Sequence, residues 1–327
     1  MYKWVKAAAA AAIVGLAASG CAAAGSSSDG GPSFKELRIM VPNSPGGGYD
    51  TTARTAAQVL EKTELTESLE VFNLEGAGGT VGLARTASEK GNKNLMMVMG
   101  LGLVGSVFSN NTDVTLADTT PIARLISEPE VIVVPKDSKY HNIHQLIADW
   151  KANPAAMPVG GGSSPGGPDH LAPHLLAKKV GIKPKAVNYV PYDGGGPLLA
   201  AILGGQVAFG VSGVGEFKDQ IKAGSLRVLA VTSAKPLKGL DAPTLIQQGI
   251  DLEFFNWRGL VAPPGISDKR KQAYVDVLSK MQKTDEWQQA MARNGWTDAF
   301  MTGKDYAKFI QSQHNRVKSV LKDLGLL

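Results

Sequence analysis

A glycine loop between a predicted strand and a predicted helix is the first stretch that could bind a ligand. Leu37, Ile39 and Val41 alternate as in a half-buried strand, residues 42–48 cannot extend regular structure, and apolar residues then recur at helical spacing. The first N–H groups of a helix lack internal partners and lie at the positive end of its dipole. We therefore expect a carboxylate or phosphate to bind there. A plain strand-to-helix turn is the alternative interpretation.

A second loop of the same kind, residues 160–168, follows the short apolar run 157–159. Its Gly-Ser-Ser-Pro-Gly segment fits the nucleophile elbow of serine hydrolases, with Ser164 as the nucleophile. The residue after that nucleophile must donate its backbone N–H to the oxyanion, and Pro165 has none. The loop is therefore better suited to holding an anion than to hydrolysis. Asp169 can cap the next helix, and His170 lies in its first turn, where it could contact a bound ligand.

Other catalytic and cofactor patterns fail on single residues. Val81 replaces the third glycine of a dinucleotide-binding loop, and the chain has no Gly-Lys-Ser or Gly-Lys-Thr triplet of a P-loop. His170 and His174 are four residues apart but lack the glutamate that a zincin places between them, so a solvent or helix-end position is expected for both. No pair of carboxylates suggests acid–base catalysis. We expect no cofactor, no metal and no catalytic set.

The elements that carry these loops alternate between strand and helix from Phe34 onward, which predicts an α/β fold with mainly parallel strands. Predicted strands cover residues 37–41, 69–73, 95–99, 130–135, 157–159, 187–190, 207–211, 226–232 and 254–261. Predicted helices include 80–90, 143–152, 269–283, 286–293 and 304–324. Because several strands end in glycine before a helix, the predicted binding edge is the carboxyl edge of the sheet.

Composition narrows the class of protein. The chain has 327 residues, 43% of them apolar, which is enough for two domains or one large one. Its formal charge of +5 falls by two if Lys3 and Lys6 are removed with a signal peptide, and basic residues are interspersed with acidic ones. We therefore expect no nucleic-acid partner, and we expect a monomer.

The first residues are typical of an export signal. Lys3 and Lys6 precede the apolar run 7–18, which is short for a membrane span. Ser19 and Gly20 before Cys21 resemble a bacterial lipobox, which predicts cleavage after residue 20 and lipidation of Cys21, the single cysteine of the chain. Residues 21–33 would then be a flexible tether to the membrane. An ordinary signal peptide that leaves a free thiol is the alternative.

Several dispersed motifs together resemble a known family, the solute-binding receptors of tripartite tricarboxylate transporters, also called the Bug family. The residues that carry the resemblance are 41–50, 76–82, 190–195, 203–207, 221–224, 229–233, 242–244 and 260–263, and the segments 118–125 and 294–298 favour the tricarboxylate-receptor branch. The resemblance implies a type II periplasmic-binding-protein fold of two α/β lobes, residues 34–135 plus 258–327 and residues 136–257, with the ligand between them.

The same resemblance implies the function. The protein would be a non-enzymatic receptor on the outer face of the cell membrane that captures a small, citrate-like di- or tricarboxylate for membrane permease subunits. One ligand carboxylate would lie between the two glycine loops. The expected substrate-binding residues are Asn43, Ser44, Gly46, Gly47, Gly48, Tyr49, Asp50, Gly78, Gly79, Thr80, Ser163, Ser164, Gly167, His170, Asp193 and Ser212. The alternatives are a secreted enzyme using Ser164 or His170, and a receptor that serves a sensor.

Overall fold

The computed structural model describes residue 34, residues 36–192 and residues 194–327. Cys21, the signal and tether segments and Asp193 lie outside these described residues. Ten strands lie in the described part: β1 (Leu37–Val41), β2 (Leu69–Asn73), β3 (Leu95–Gly100), β4 (Thr120–Pro135), β5 (Val159–Gly161), β6 (Tyr189–Pro191), β7 (Phe209–Gly213), β8 (Leu226–Val231), β9 (Phe255–Ala262) and β10 (Thr297–Thr302).

Ten α-helices alternate with these strands in the described residues. They are α1 (Gly48–Lys62), α2 (Thr80–Ser88), α3 (Leu101–Ser109), α4 (Ile143–Ala152), α5 (Pro168–Lys179), α6 (Gly195–Leu203), α7 (Val214–Lys222), α8 (Asp268–Gln282), α9 (Asp285–Asn294) and α10 (Gly303–Leu324). A search of the described residues for a helix with the length and apolarity of a membrane span finds none. The alternation confirms the predicted α/β class, but the expectation of mainly parallel strands is wrong, because five of the nine strand pairings in the described residues are antiparallel.

The first group of strands, which we call sheet A, carries the first glycine loop at its edge. β1 pairs in parallel with β2 and β3, and β3 pairs antiparallel with β9. The alternation predicted for β1 is present, because Leu37, Ile39 and Val41 are buried while Arg38 is exposed. All six residues of β3 are buried, as expected for a strand covered on both faces.

The second group, sheet B, carries the second glycine loop. β5 pairs in parallel with β6 and β7, and β7 and β8 both pair antiparallel with β4. Strand β4 belongs to both sheets, because its first residues pair with β9 and β10 and its last residues pair with β7 and β8. The two glycine loops therefore lie at the ends of strands in two sheets that share one long strand.

Two strand predictions need correction. The predicted strand 130–135 is only the end of β4, which begins at Thr120. Pro121 and Pro129 read as strand breakers because proline donates no hydrogen bond, but both residues pair with β9, and β4 continues past Pro129 by pairing with β7. β10 was missing from the prediction, because its residues are half-exposed and show no alternation of apolar and polar types. Only pairing with β4 makes this segment a strand.

Buried side chains form one large core cluster and two smaller ones. One of the smaller clusters contains Ile39 and Leu60 of the sheet A region, and the other contains Val133 and Phe217 of the sheet B region. The largest cluster reaches from Met97 through β4 to the last helix. Helix α10 therefore packs against strands β4 and β10 and against helices α3 and α5. These contacts hold in place the helices that adjoin the two loops.

Candidate functional site

The first loop, residues 42–47, ends in a helix start whose N-cap residue has no side chain. Gly46 has a φ of +84°, a left-handed conformation that glycine adopts readily, and it donates its N–H to Asp50 Oδ2 at 2.9 Å. Gly47 is the N-cap of α1. In the described part of the chain, the N–H groups of Gly48 and Tyr49 make no hydrogen bond. These two donors are therefore free to bind an anion.

Asp50 holds this loop in shape. Its carboxylate also accepts hydrogen bonds from Arg54 Nε at 2.9 Å and from Asn73 Nδ2 at 3.0 Å, and Asn73 Nδ2 donates to the Asn43 carbonyl as well. Burial by itself raises the pKa of Asp50, but the hydrogen bonds from Arg54, Gly46 and Asn73 outweigh it, so the pKa lies below its usual value. Asp50 is thus an ionised residue that fixes the loop.

The second loop, residues 162–167, repeats this geometry with different partners. Gly166 has a φ of +89° and donates its N–H to His170 Nδ1 at 3.2 Å, at the same four-residue spacing as Gly46 and Asp50. The N-cap Gly167 has φ −78° and ψ 173°, close to −73° and 171° at Gly47. The sequence Ser-Pro-Gly-Gly stands at both places, residues 44–47 and 164–167. The two loops are therefore matching helix starts.

The donors of the second loop are already used within the loop. Gly167 donates to the Ser164 carbonyl at 2.9 Å, Asp169 donates its N–H to Ser163 Oγ at 3.0 Å, and His170 donates its N–H to the Gly167 carbonyl at 3.2 Å. Pro168, the first residue of α5, has no N–H. This loop consequently offers fewer free donors than the first.

His170 and His174 lie in the interior rather than in solvent, which corrects the expectation that both are solvent or helix-end residues. They are 4% and 5% exposed, their rings are 4.2 Å apart, and Tyr189 packs edge-on against His170. Burial lowers the pKa of His170 to about 3, with a further contribution from His174. The ring is therefore neutral, as its Nδ1 must be to accept the Gly166 N–H. Among the described residues no three His, Cys, Asp or Glu side chains are placed to hold a metal ion.

Helix α3 brings the two loops to one place. The Leu103 N–H donates to the Tyr49 hydroxyl at 3.0 Å, and burial raises the pKa of that hydroxyl to about 12. On the other side, Ser109 Oγ donates to the Pro165 carbonyl at 2.8 Å. The backbone of Gly105 lies directly against Gly166, since a Cβ added to Gly105 would be 2.0 Å from the Gly166 oxygen.

The third predicted glycine turn lies beside the first loop. Gly78 and Gly79 both have positive φ, and a Cβ on Gly79 would lie 3.3 Å from the Pro42 carbonyl oxygen. Thr80 donates its hydroxyl to the Ala77 carbonyl at 2.9 Å. This turn therefore shapes the wall around the first loop.

A buried ion pair lies next to the first helix start. Arg258 Nη2 is 3.0 Å from Glu128 Oε2, and a Cβ added to Gly48 would be 2.3 Å from the same nitrogen. The other oxygen of Glu128 accepts the Gly215 N–H at 2.9 Å, at the start of α7. Since β4 carries Glu128 and β9 carries Arg258, this pair joins the strand shared by both sheets to the first loop.

Three more carboxyl groups surround that ion pair. Burial raises the pKa of Glu130 well above its usual range, and the nearby Asp169, Glu128 and Glu216 raise it further, with Arg258 opposing them. Burial is the chief cause that raises the pKa of Asp169. The pKa of Glu216 is raised by desolvation of its carboxylate and by the charge of Asp169, although part of the Glu216 side chain reaches solvent. The site is thus acidic where the glycine loops end.

The structure brings most of the expected binding residues into this region. Asn43, Ser44, Gly46, Gly47, Gly48, Tyr49, Asp50, Gly78, Gly79 and Thr80 form the loop 1 side, and Ser163, Ser164, Gly167 and His170 form the loop 2 side. Ser212 is fully buried on β7. Its hydroxyl is close enough to lower the pKa of Asp169, although it makes no well-aligned hydrogen bond within the described residues. That these residues contact a ligand stays a prediction, and Asp193 lies outside the described residues.

Sequence reasoning missed Glu128, Glu130, Glu216 and Arg258. No pair of carboxylates for acid–base catalysis is visible in the sequence, which does not reveal that elements distant in sequence bring four carboxyl groups together. One signal was available: Glu128 and Glu130 interrupt an otherwise apolar stretch that extends to Pro135, and all residues from 125 to 134 are buried. Charged side chains at buried strand positions are rare without a specific role.

Comparison with known proteins gives a consistent result. Residues 52–326 match a family model described as "Tripartite tricarboxylate transporter family receptor". A curated relative, Protein BugT of Bordetella pertussis, is 28% identical over 302 residues, which are 89% of this chain and 90% of that protein.

Solved structures agree with this match. A TctC solute-binding protein from Polaromonas has a TM-score of 0.70 at 26% identity and covers 88% of this chain and 98% of its own. MatC of Rhodopseudomonas palustris, solved with malate, has a TM-score of 0.74 at 20% identity, covering 88% and 99%. A second R. palustris protein, solved with adipate, has a TM-score of 0.77 at 22% identity, covering 89% and 97%. These neighbours confirm the predicted solute-binding-protein fold.

Proposed function

The chain belongs to the tripartite tricarboxylate transporter receptor family, and from this premise we propose that it captures a small organic carboxylate and presents it to the membrane subunits of such a transporter. Members of the family are periplasmic solute-binding receptors and not enzymes. The malate and adipate of the two R. palustris structures are small dicarboxylates, which supports the ligand class.

One observation carries the proposal for this chain. Helix α1 begins at an uncapped glycine, and the N–H groups of Gly48 and Tyr49 make no hydrogen bond in the described part of the chain. Both groups lie at the positive end of a 15-residue helix, where a carboxylate is favoured. The neighbouring Arg258 adds positive charge at the same point, although Glu128 already pairs with it.

We propose that the remaining predicted contacts complete the site. The loop 1 residues Asn43, Ser44 and Gly46 to Asp50 would surround the carboxylate, with Gly78, Gly79 and Thr80 beside them. Ser163, Ser164, Gly167 and His170 would close the other side, and Asp193 and Ser212 would reach the far end of the ligand. A ligand carboxylate can use bridging waters on the loop 2 side, where direct donors are few.

The division into lobes is part of this proposal. Strands β5 to β8 fall within residues 136–257, and β1 to β3 and β10 fall in the two segments assigned to the other lobe. Strands β4 and β9 run between these regions, with β9 beginning at Phe255. We propose that the lobes move about these strands and that α3 meets loop 2 when the cleft closes.

The sequence favours a citrate-like di- or tricarboxylate within the carboxylate class, and a panel of ligands tests this. Isothermal titration calorimetry with citrate, malate, succinate, adipate and butyrate should give one ligand per chain for at least one of them. Mass spectrometry should recover the ligand unchanged. If none of these carboxylates binds at millimolar concentration, the citrate-like ligand class is wrong, and if the ligand is converted, the protein is an enzyme.

We also propose that Cys21 carries a lipid that anchors the monomeric receptor at the outer face of the cell membrane. The support is the sequence of residues 1–21 alone. Cell fractionation of wild type and Cys21→Ala tests it, since loss of the anchor should move the protein from the membrane to the soluble fraction. Equal amounts of both proteins in the membrane fraction would contradict lipidation.

A further inference from the structure

Four carboxyl side chains and one guanidinium lie together between the two glycine loops. Arg258 touches the start of α1 through Gly48, and Asp169 is the second residue of α5. Glu128 and Glu130 project from the shared strand β4, and Glu216 lies in the first turn of α7. We call this group the acidic cluster. It adjoins the place where the proposed carboxylate would bind.

Hydrogen bonds within the protein account for part of the cluster. Glu128 is satisfied by Arg258 and by the Gly215 N–H, and Asp169 accepts the Gly162 N–H at 2.7 Å. Glu130 is different, because it is 0% exposed and neither of its oxygens has a hydrogen-bond partner in the described part of the chain. A buried carboxyl group without a hydrogen-bond partner destabilises the fold. Either the carboxyl group keeps its proton in the folded protein, or a bound ligand provides the missing partner.

The charges around Glu130 indicate which ligand group fits. Asp169 on α5, Glu128 on β4 and Glu216 on α7 all act on Glu130 as negative charges. Arg258 on β9 is the positive group that acts on it, and its guanidinium is already paired with Glu128. A second ligand carboxylate would therefore add to the negative charge that already acts on this position. A cationic nitrogen would meet opposite charge and the two Glu130 oxygens that have no partner in the described residues.

We propose that the ligand is a carboxylate whose other end is a cationic amine, and that Glu130 and the acidic cluster bind the ammonium group. This inference rests on the proposed function, because the carboxylate end would bind at the loop 1 donors. It changes the expected class from a citrate-like anion to an amino carboxylate. A metal ion fits less well, since no three acidic or histidine side chains in the described residues have the geometry to ligate one.

Three ligands with four-carbon chains test the proposal by calorimetry at pH 7. Succinate has two carboxylates, 4-aminobutyrate has a carboxylate and an ammonium group, and butyrate has the carboxylate alone. We expect 4-aminobutyrate to bind about tenfold or more tightly than succinate, because one hydrogen bond to a charged group is worth at least about that factor. Tighter binding of succinate overturns the inference and leaves the proposed function standing, whereas no binding of 4-aminobutyrate or of any panel carboxylate overturns the proposed function.

Variants assign the preference to the cluster. Glu130→Gln should reduce the ratio of 4-aminobutyrate to succinate affinity by about tenfold while the protein remains folded. Glu216→Gln, at a more exposed position, should reduce the same ratio if Glu130→Gln does not fold. The control Glu253→Gln removes an exposed carboxylate outside the cluster and should leave the ratio unchanged. An unchanged ratio in both cluster variants would refute the assignment.

Proton release gives a readout that needs no variant. Burial raises the pKa of Glu130 in the free protein, and an ammonium group bound beside it would lower that pKa by favouring the ionised form. Calorimetry of 4-aminobutyrate in two buffers with different ionisation enthalpies should therefore show release of up to one proton per ligand bound. Proton uptake, or no proton exchange at all, would contradict binding of the ammonium group at Glu130.

Discussion

The two Ser-Pro-Gly-Gly loops have the same backbone but make different use of it. Both place a left-handed glycine before a glycine N-cap, and in both the residue four positions after that glycine accepts its N–H. In the first loop, the N–H groups of Gly48 and Tyr49 make no hydrogen bond within the described residues. In the second loop, the corresponding N–H groups bond within the loop, and Pro168 has no N–H to donate. The shared sequence motif therefore predicts the same backbone conformation in both loops, but not the same set of free hydrogen-bond donors.

The residue that stabilises each loop differs as well. Asp50 is an ionised carboxylate with Arg54 and Asn73 as further partners, while His170 is a neutral ring packed between His174 and Tyr189. Hydrogen bonds to the ionised Asp50 carboxylate therefore hold the first loop, whereas a buried neutral ring at His170 holds the second. This difference supports the proposal that loop 1 binds the anion and that loop 2 is a rigid surface that closes on it.

The largest effect should come from filling the loop 1 N-cap. Gly47 has φ −73°, which any residue adopts, so Gly47→Val should fold, with its side chain beside Asn43. We expect carboxylate affinity to fall by about 100-fold or more, because each lost hydrogen bond to a charged group is worth about 1.5–3 kcal/mol. Calorimetry measures the affinity, and thermal unfolding of the unliganded variant checks the fold.

The matched variant in loop 2 tests the comparison. In Gly167→Val the added Cβ would lie 2.7 Å from Ser163 Oγ, which accepts the Asp169 N–H, so the main result should be a lower melting temperature. The affinity of protein that remains folded should fall by less than in Gly47→Val. Equal loss of affinity in the two variants, with equal stability, would show that both loops donate to the ligand in the same way.

Closure of loop 2 on α3 should have the next largest effect. Gly105→Ala places a methyl group 2.0 Å from the Gly166 oxygen and thus keeps the loop away from the helix. We expect ligand affinity to fall about tenfold, because the closed form becomes less populated. Small-angle scattering of the liganded variant should give a larger radius of gyration than the liganded wild type.

The control for that variant is Gly196→Ala in α6. A Cβ at Gly196 has no atom within 4 Å, so this change introduces alanine into a helix without a collision. Affinity and scattering of Gly196→Ala should match the wild type. If Gly105→Ala behaves like this control, contact between α3 and loop 2 does not contribute to ligand binding.

Local sequence was sufficient to predict the loops, and insufficient for the acidic cluster. Proline and glycine at residues 45–48 and 165–168 specify turns through their own backbone preferences, so both helix starts are visible in the sequence. Glu130 and Glu216 come together because β4 pairs with β7, which leads into α7, and this pairing links residues about 80 positions apart. The burial that raises the pKa of Glu130 is likewise a property of packing that a sequence pattern does not contain.

A pH experiment separates the two loop-stabilising residues. The folded-state pKa of His170 is about 3, below its ordinary value of 6.5, so its contribution to stability is present above pH 6.5 and is lost as the pH falls toward 3. The pKa of Asp50 is also lowered, but from 3.8, so its contribution is lost only below about pH 4. Between pH 7 and 5, acid should therefore weaken loop 2 and spare loop 1.

The measurement compares wild type with His170→Asn, whose side-chain oxygen occupies the position of Nδ1 and does not titrate. The free energy of unfolding of wild type should fall by about 2 kcal/mol more than that of the variant between pH 7 and 5. The protection factor of the Gly166 amide against hydrogen exchange should fall from pH 7 to pH 5, while that of the Gly46 amide should not. Parallel behaviour of the two amides would show that His170 does not stabilise loop 2 through its neutral form.

Glu130 should produce the opposite pH dependence, and this is the smallest effect that the comparison predicts. Its folded-state pKa is raised, so the folded protein binds this proton more tightly than the unfolded chain, and the associated stability is lost as the pH rises above about 4.5. Glu130→Gln should remove that loss and increase the free energy of unfolding at pH 8 by about 1 kcal/mol, with a smaller change at pH 5. Denaturant unfolding at the two pH values measures the difference. A variant that is less stable than wild type at pH 8 would mean that the Glu130 carboxylate has a stabilising partner in the free protein, and the need for a cationic ligand at that position would disappear.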